Sequence, residues 1–328
     1  MNDEQKLEEA KALVARLIEL ENEVTGIVGG FKKKEDFARR FLNFSHNTWT
    51  QLKAGTYYDG RIWSKSDDMR ECISDIEGRI PQLRAAKEYE KTFLETAFVK
   101  AAKGRVSRAR DDADGRRIVV CLAPTGYGKT AVANYFVSKG AVKVEGSQSW
   151  KSSYRSFCSA IATACGTPVP VGAKQDRAEE AMLKALSTRV GTLVIDEANT
   201  LSGHCANGIK EIVNRTGWTV IMLAIPEFWD SFLEGNQGEV RQVINRCQRV
   251  IRQETILTED VKLFLKRQGL PETFAPDVTA EANYFGGFRT VNSLIDEIKG
   301  DPTKEAMEKA VRRFRQNVAA FNLKKNEY

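Results

Sequence analysis

Apolar residues Leu7, Ala10, Val14, Leu17 and Ile18 recur at three- and four-residue steps through a polar opening stretch. That period predicts one amphipathic helix over residues 5–24, ended near Gly26 and the Gly29-Gly30 pair. Two shorter helical stretches follow, 34–42 and 46–54, parted by Asn43-Phe44-Ser45 and closed by Gly55. Ser45 can cap the second of them, and Trp49 and Leu52 fall on the side that would pack against Phe37 and Phe41, which is the spacing of a helix-turn-helix. Its outward positions include Asn47, Thr48, Gln51 and Lys53, all able to hydrogen-bond bases or phosphates. Residues 67–103 are again helical in pattern, with a break expected at Pro81, and the polar stretch 104–115 reads as a loop at a domain boundary.

Beyond that boundary the pattern alternates between short apolar runs and helical periods. Strands are predicted at 117–122, 141–144, 192–195 and 219–225, with helices at 129–138, 150–165, 179–186 and 206–215. Alternation of this kind builds an α/β fold, a parallel sheet with helices on both faces. From residue 259 the chain is helical to its end, interrupted near 269–276, at Gly286-Gly287 and near 300–302. The expected organisation is a helical N-terminal domain over 1–80, a connecting helix and linker over 81–115, an α/β core over 116–258, and a helical lid over 259–328.

At 328 residues the chain has room for about two domains and a sizeable core. Hydrophobic residues make up 42% and charged residues 29%, and no run approaches the ~18 apolar residues of a membrane span, so neither disorder nor a membrane segment is expected. The acidic opening lacks the pattern of a secretory signal, which points to the cytoplasm. Six scattered cysteines without a Cys-x-x-Cys pair, and only two histidines, argue against a zinc site or a disulfide framework. A balance of 50 Lys and Arg against 44 Asp and Glu permits a polyanionic partner without demanding one.

The sharpest chemistry lies in Ala123-Pro124-Thr125-Gly126-Tyr127-Gly128-Lys129-Thr130, between a predicted strand and a predicted helix. Glycines there let backbone N–H groups face a phosphate, Lys129 reaches the outer phosphate oxygens of ATP, and the Thr130 hydroxyl can ligate Mg2+. Ala123 stands where this pattern has its first glycine. Downstream, Thr192-Leu193-Val194-Ile195-Asp196-Glu197 is an apolar strand ending in two acids, expected to neighbour the phosphate-loop strand directly. Asp196 suits the magnesium shell, and Glu197 suits orienting and deprotonating an attacking water.

Together these motifs resemble the AAA+ ATPases. Within that resemblance, Asn245-Arg246-Cys247 is similar to the segment that supplies an arginine finger to a neighbouring subunit, and Gly286-Gly287-Phe288-Arg289 to the segment that aims a lid arginine at the γ-phosphate. Ile225 occupies the place at the end of the fourth strand where the family carries a polar sensor residue. A helix-turn-helix ahead of such a core resembles the target-selecting transposition ATPases of the MuB type. That resemblance implies ATP-driven self-association into a helical filament on double-stranded DNA, which presents target DNA to a transposase. A clamp or helicase loader of replication, or a nucleotide-gated transcription regulator, would carry the same motifs. Within the core, the segment 147–155 follows the second strand and opens a helix, so its free N–H groups, Lys151 and Arg155 are candidates for gripping DNA phosphates. The amphipathic tail is expected mainly to close the lid.

Overall fold

Five parallel strands form one sheet in the order β2-β3-β4-β1-β5. They are β1 (Ile118–Leu122), β2 (Val142–Glu145), β3 (Thr192–Asp196), β4 (Thr219–Ala224) and the two-residue edge strand β5 (Ile251–Arg252), which the hydrophobic pattern alone does not reveal. The computed structural model describes residues 3–31, 35–188, 190–235 and 237–325. Strands β1, β3 and β4 are buried along their whole length, which is why they read as continuous apolar runs rather than as alternation. β4, apolar on both faces, lies between β1 and β3, so the strand ending in Asp196 is one place removed from the phosphate-loop strand rather than its direct neighbour. Two strand spacings, roughly 10 Å, therefore separate the ends of β1 and β3.

The helices that cover the sheet are α5 (Ala97–Arg110), α6 (Lys129–Ser138), α7 (Tyr154–Ala164), α8 (Gln175–Ser187), α9 (Gly203–Thr216), α10 (Pro226–Gly235) and α11 (Gln237–Ile244). The lid is α12 (Thr258–Arg267), α13 (Ala275–Tyr284), α14 (Phe288–Ile298) and α15 (Lys304–Lys325). Lid residues Val261, Leu265, Val291, Leu294 and Ile295 share one apolar core with β1 residues Val119 and Cys121 and with α5. Along α15, Met307 and Ala310 join that core and Arg315 pairs with Glu281, so the tail does close the lid; the side chains beyond Ala320 lie outside the described residues. Among the described residues no helix is long and apolar enough to cross a membrane.

The N-terminal region is helical: α1 (Asp3–Val28), α2 (Asp36–Phe41), α3 (His46–Ala54) and α4 (Ser66–Thr92). The start expected for the second helix at Lys34 lies outside the described residues. Ser45 caps α3 by accepting from the Thr48 N–H at 3.1 Å, and Gly55 ends it at φ 70°, so the expected start and stop of this helix are present. Phe37, Phe41, Trp49 and Leu52 meet in the core of this region with Leu17 and Leu20 of α1.

Pro81 does not break its helix. α4 runs through it because Ile76 and Leu83 are buried against α1 and the ion pairs Arg16–Glu77 and Arg84–Glu23 clamp the two helices on either side, so tertiary packing overrides the local cost. The chain turns instead between Thr92 and Ala97, and α5 extends to Arg110, past the expected loop start. Ala102, Val106 and Ala109 are buried on its inner face, while Gly104 faces open space and interrupts nothing.

The two regions are docked through Arg79 of α4. Its guanidinium is buried, donates to the carbonyls of Gly140 (2.7 Å) and Arg40 (3.3 Å), pairs with buried Asp75 (3.4 Å) and lies 4.5 Å over the Phe41 ring. Removing it would strand a buried carboxylate and two carbonyls. Arg79→Leu is expected to cost about 3 kcal/mol in denaturant unfolding and to separate the melting of the helical region from that of the sheet; an unchanged single transition would refute this docking role.

Candidate nucleotide site

Beyond the end of β1 the loop 123–128 turns into α6 through Gly126 (φ 89°) and Gly128 (φ 96°), backbone conformations that a side chain would strain. Ala123 is fully buried and its N–H donates to the Ala224 carbonyl at 3.1 Å, continuing the sheet, so a methyl group is accommodated where the pattern has glycine. Lys129 opens α6 and is buried; its Nζ donates to the carbonyls of Ala123 (2.8 Å) and Pro124 (3.1 Å). Burial pulls the Lys129 pKa down and nearby Arg289 adds to this, while Glu197, Asp196 and Glu227 oppose it. The lysine is thus a desolvated cation held beside the loop, with three carboxylates and a second cation in its field.

The lid touches this loop backbone to backbone. Phe288 N–H donates to the Gly126 carbonyl at 2.9 Å, a Cβ on Gly126 would overlap the Gly286 carbonyl, and a Cβ on Gly287 would lie 2.7 Å from the Tyr127 ring and 2.8 Å from the Gly126 oxygen. Gly286-Gly287 therefore serves close approach, and the approach sets Arg289 at the mouth of the same cavity as Lys129.

The acids at the end of β3 are tightly organised. Asp196 is buried; its Oδ1 accepts from the Glu197 N–H at 3.1 Å and its Oδ2 pairs with Lys143 of β2 at 2.8 Å. Glu197 sits in the left-handed region (φ 51°, ψ 46°), uncommon for a residue with a side chain. Gly146 follows β2 so closely that a Cβ there would overlap the Glu197 carbonyl. Asn199 ties the corner to β4: its Nδ2 donates to Glu197 Oε2 at 2.7 Å, and its Oδ1 accepts from the Ile225 N–H at 2.8 Å. At that strand end the Ile225 side chain is apolar and the polar partner of its backbone is Asn199.

The loop, the start of α6, Glu197 and the lid line a cavity of about 500 Å³. Thr125, Gly126, Gly128, Lys129, Thr130, Glu197 and Arg289 supply the polar parts of its wall and Leu94, Phe264, Phe288 and Ile295 apolar ones, the two phenylalanine rings stacking at 5.1 Å. A wall of this mixed kind suits a nucleotide, whose phosphates take cations and N–H groups and whose flat base takes apolar contact. Thr96 lines the cavity with its Oγ1 buried and without a hydrogen-bond partner among the described residues, a group that a bound base or sugar could satisfy. Magnesium fits the donor set: the Thr130 hydroxyl and Asp196 offer hard oxygen ligands, and phosphates would complete the shell, although Asp196 Oδ2 must share with or leave Lys143 to take part directly. Sequence patterns missed Lys143, Gly146, Asn199, Thr96, Phe264, Arg267, Gln268 and Asn292. Asn199, two residues beyond the acid pair, and Asn292, three beyond Arg289, lay close enough to a motif to be noticed.

Arg246 lies elsewhere. Its carbonyl accepts from the Ile118 N–H at the start of β1, and its Nε donates to Asn214 at 2.9 Å. The length of β1, about 16 Å, separates it from the phosphate loop, so it cannot reach the cavity of its own chain. In the helix-turn-helix, Asn47 and Gln51 are exposed as expected. Thr48 shares the cap with Ser45, and Lys53 is drawn back to Glu21 (3.1 Å) over the Trp49 ring, because that carboxylate also anchors the Trp49 indole. In the segment 147–155 a short 3-10 turn (Gln148–Lys151) precedes α7, and the N–H groups of Ser149 and Ser156 are already capped by Ser147 and Ser153. Arg155 donates to the carbonyls of Ala173 and Pro170, holding the following loop; Lys151 remains exposed.

Residues 110–232 match the family model described as "AAA domain". No curated protein matches the chain. Among solved structures it is similar to the ORC2 protein of Aeropyrum pernix, described as ADPNP–ADP complexes, at 13% identity and a TM-score of 0.48. That similarity covers 65% of this chain and 66% of the other, so this chain spans just under two thirds of that protein's length. The sheet, the phosphate loop and the helical lid constitute an AAA+ P-loop fold preceded by a helical region.

The backbone contact between loop and lid generates a direct test. Gly287→Ala places a methyl group against Tyr127 and the Gly126 carbonyl in a backbone conformation (φ 64°, ψ −138°) that only glycine adopts easily. The expected cost is about 1–3 kcal/mol in thermal unfolding, together with weakened binding of a fluorescent ATP analogue. Wild-type stability and affinity would show that the contact is dispensable.

Proposed function

We propose that the chain is a magnesium-dependent ATPase that, loaded with ATP, self-associates on duplex DNA and presents that DNA to a transposase. The observation that carries the proposal is the division of the two arginines. Arg289 lines the cavity in its own chain, whereas Arg246 lies at the opposite end of β1, so a cavity with both needs a neighbouring subunit. In the reaction, Lys129 and Arg289 hold the outer phosphate oxygens as negative charge shifts toward the leaving group, and the neighbour's equivalent arginine meets it from the open side. Glu197, fixed by Asn199, orients a water in line with the phosphorus–oxygen bond that breaks and takes its proton. Magnesium supplies neutralisation of the phosphate charge.

DNA binding is supported by the capped helix-turn-helix with Asn47 and Gln51 exposed, rigidly docked on the ATPase core through Arg79. The transposase as recipient is supported by the resemblance to MuB-type ATPases in domain order and motifs. Sequence-tolerant binding follows if contacts fall mainly on phosphates, which carry no base code.

Binding and turnover should separate by mutation. Lys129→Ala is expected to abolish nucleotide binding, and Glu197→Gln to retain binding while losing turnover, read by equilibrium binding alongside phosphate release. Equal loss of affinity in both variants would sink the assigned roles.

Trans action by Arg246 predicts specific activity that rises with protein concentration and a loss on Arg246→Ala of about a thousandfold. Mixing Arg246→Ala with Lys129→Ala subunits should restore part of the activity, since each lends what the other lacks. Concentration-independent turnover with no recovery on mixing would exclude a shared site.

A further inference from the structure

At the end of the sheet away from the nucleotide cavity, a cleft of about 460 Å³ opens between α2 and the N-terminal ends of β3 and β4. Five cations line it: Arg39 and Arg40 from α2, Arg110 from the end of α5, Arg117 beside β1, and Lys139 after α6. Among the described residues that line it, Asp111 is the one carboxylate. Among the described residues the guanidinium groups are oriented mainly by uncharged oxygens. Arg40 donates to the Lys139 carbonyl (3.2 Å), Arg110 to the Thr192 hydroxyl (2.9 Å) and Arg117 to the Gly217 carbonyl, all uncharged oxygens. Arg39 meets Asp36 at 3.3 Å, but its side chain is 69% exposed, so water screens that pair. Water also reaches Arg110, yet crowding by the surrounding protein, and then the charges of Arg40 and Arg39, hold its pKa below the usual value. Four arginines gathered with little compensation among the described residues repel one another unless an anion joins them.

We propose that this cleft holds the phosphodiester backbone of duplex DNA, so that the helix-turn-helix and the ATPase core grip one strand together. This rests on the DNA-binding reading above and gives it a site. The first helix of a helix-turn-helix lies across the backbone beside the groove that the second helix enters. Here that first helix is α2, which supplies two of the five cations, and α3 directly follows with Asn47 and Gln51 exposed. Because α2 and Lys139-Gly140 are fastened together by Arg40 and Arg79, cations from both regions form one rigid arrangement. DNA therefore runs past the Arg246 end of the sheet, leaving the nucleotide cavity clear.

Two variants of the full-length chain test the site. The double variant Arg39→Glu with Arg110→Gln removes charge. Val190→Glu adds a carboxylate at a cleft residue that is 56% exposed. Fluorescence anisotropy with several unrelated duplexes in ATP, across a salt series, should show about tenfold weaker binding for every duplex and a salt dependence shallower by roughly one for each phosphate no longer held. ATP turnover without DNA and thermal melting should stay at the wild-type level. Wild-type DNA affinity and salt slope in both variants, with the parent chain binding DNA, would overturn the cleft assignment and leave the function standing. A parent chain that binds no duplex in ATP would remove the functional reading and this site with it. Calorimetry with tripolyphosphate completes the test: binding that Val190→Glu abolishes, while DNA affinity is unmoved, would reassign the cleft to a small oligophosphate and overturn the proposal.

Discussion

The backbone of Gly126 lies against the backbone of Gly286 and Gly287, with Phe288 N–H donating to the Gly126 carbonyl, and the arrangement of the site follows from that contact. At Gly126 no side chain separates the phosphate loop from the lid, and beside it the Tyr127 and Phe288 rings fill the seam, so loop and lid cannot shift independently without opening a gap or colliding. Arg289, one residue beyond Phe288, is carried to the cavity mouth as a consequence. Phe288 in turn stacks on Phe264 and shares a core with α5 and β1, so an apolar wall of the cavity is built by the same contact that holds the lid to the phosphate loop. Close backbone packing of this kind requires glycine at Gly126 and at Gly287, about 160 residues downstream.

The acid corner solves a second geometric constraint. Because β4 intervenes between β1 and β3, the acids are displaced from the phosphate loop by two strand spacings, and the chain must bend sharply to present Glu197. It does so through a left-handed residue, held by the Glu197 carbonyl packing on Gly146 and by Asn199 bridging to β4. Asn199 makes the end of β4 part of the site although Ile225 has no polar side chain. Lys143 balances Asp196 in the same corner, so its charge is matched before any cation arrives.

Charge is distributed unevenly along the sheet. Its C-terminal ends carry Asp196, Glu197 and Glu227 around one buried lysine, whereas its N-terminal ends face a cleft of arginines. The helical region is fixed to the second of these ends through Arg79, which fills a buried position between Asp75, Phe41 and the carbonyls of Arg40 and Gly140. A protein that reads nucleotide at one end of its sheet and a polyanion at the other would be arranged in this way.

Much of this was legible in the residues alone. The apolar runs of β1, β3 and β4, the phosphate-loop glycines, the acid pair and the Ser45-capped α3 are local features, set by burial on both faces, by permitted backbone angles and by a single capping hydrogen bond. Local rules failed where distant contacts outweighed them: Pro81 stays helical because α1 clamps α4, Gly104 stays helical because it faces outward, and β5 is too short to carry a pattern. Strand order, the lid contact, the Lys143 and Asn199 partners, the recruitment of Lys53 to Glu21 and the basic cleft all join residues far apart in the chain. Their pairing depends on distances that only the packed tertiary structure sets, and no period or motif along the chain encodes them.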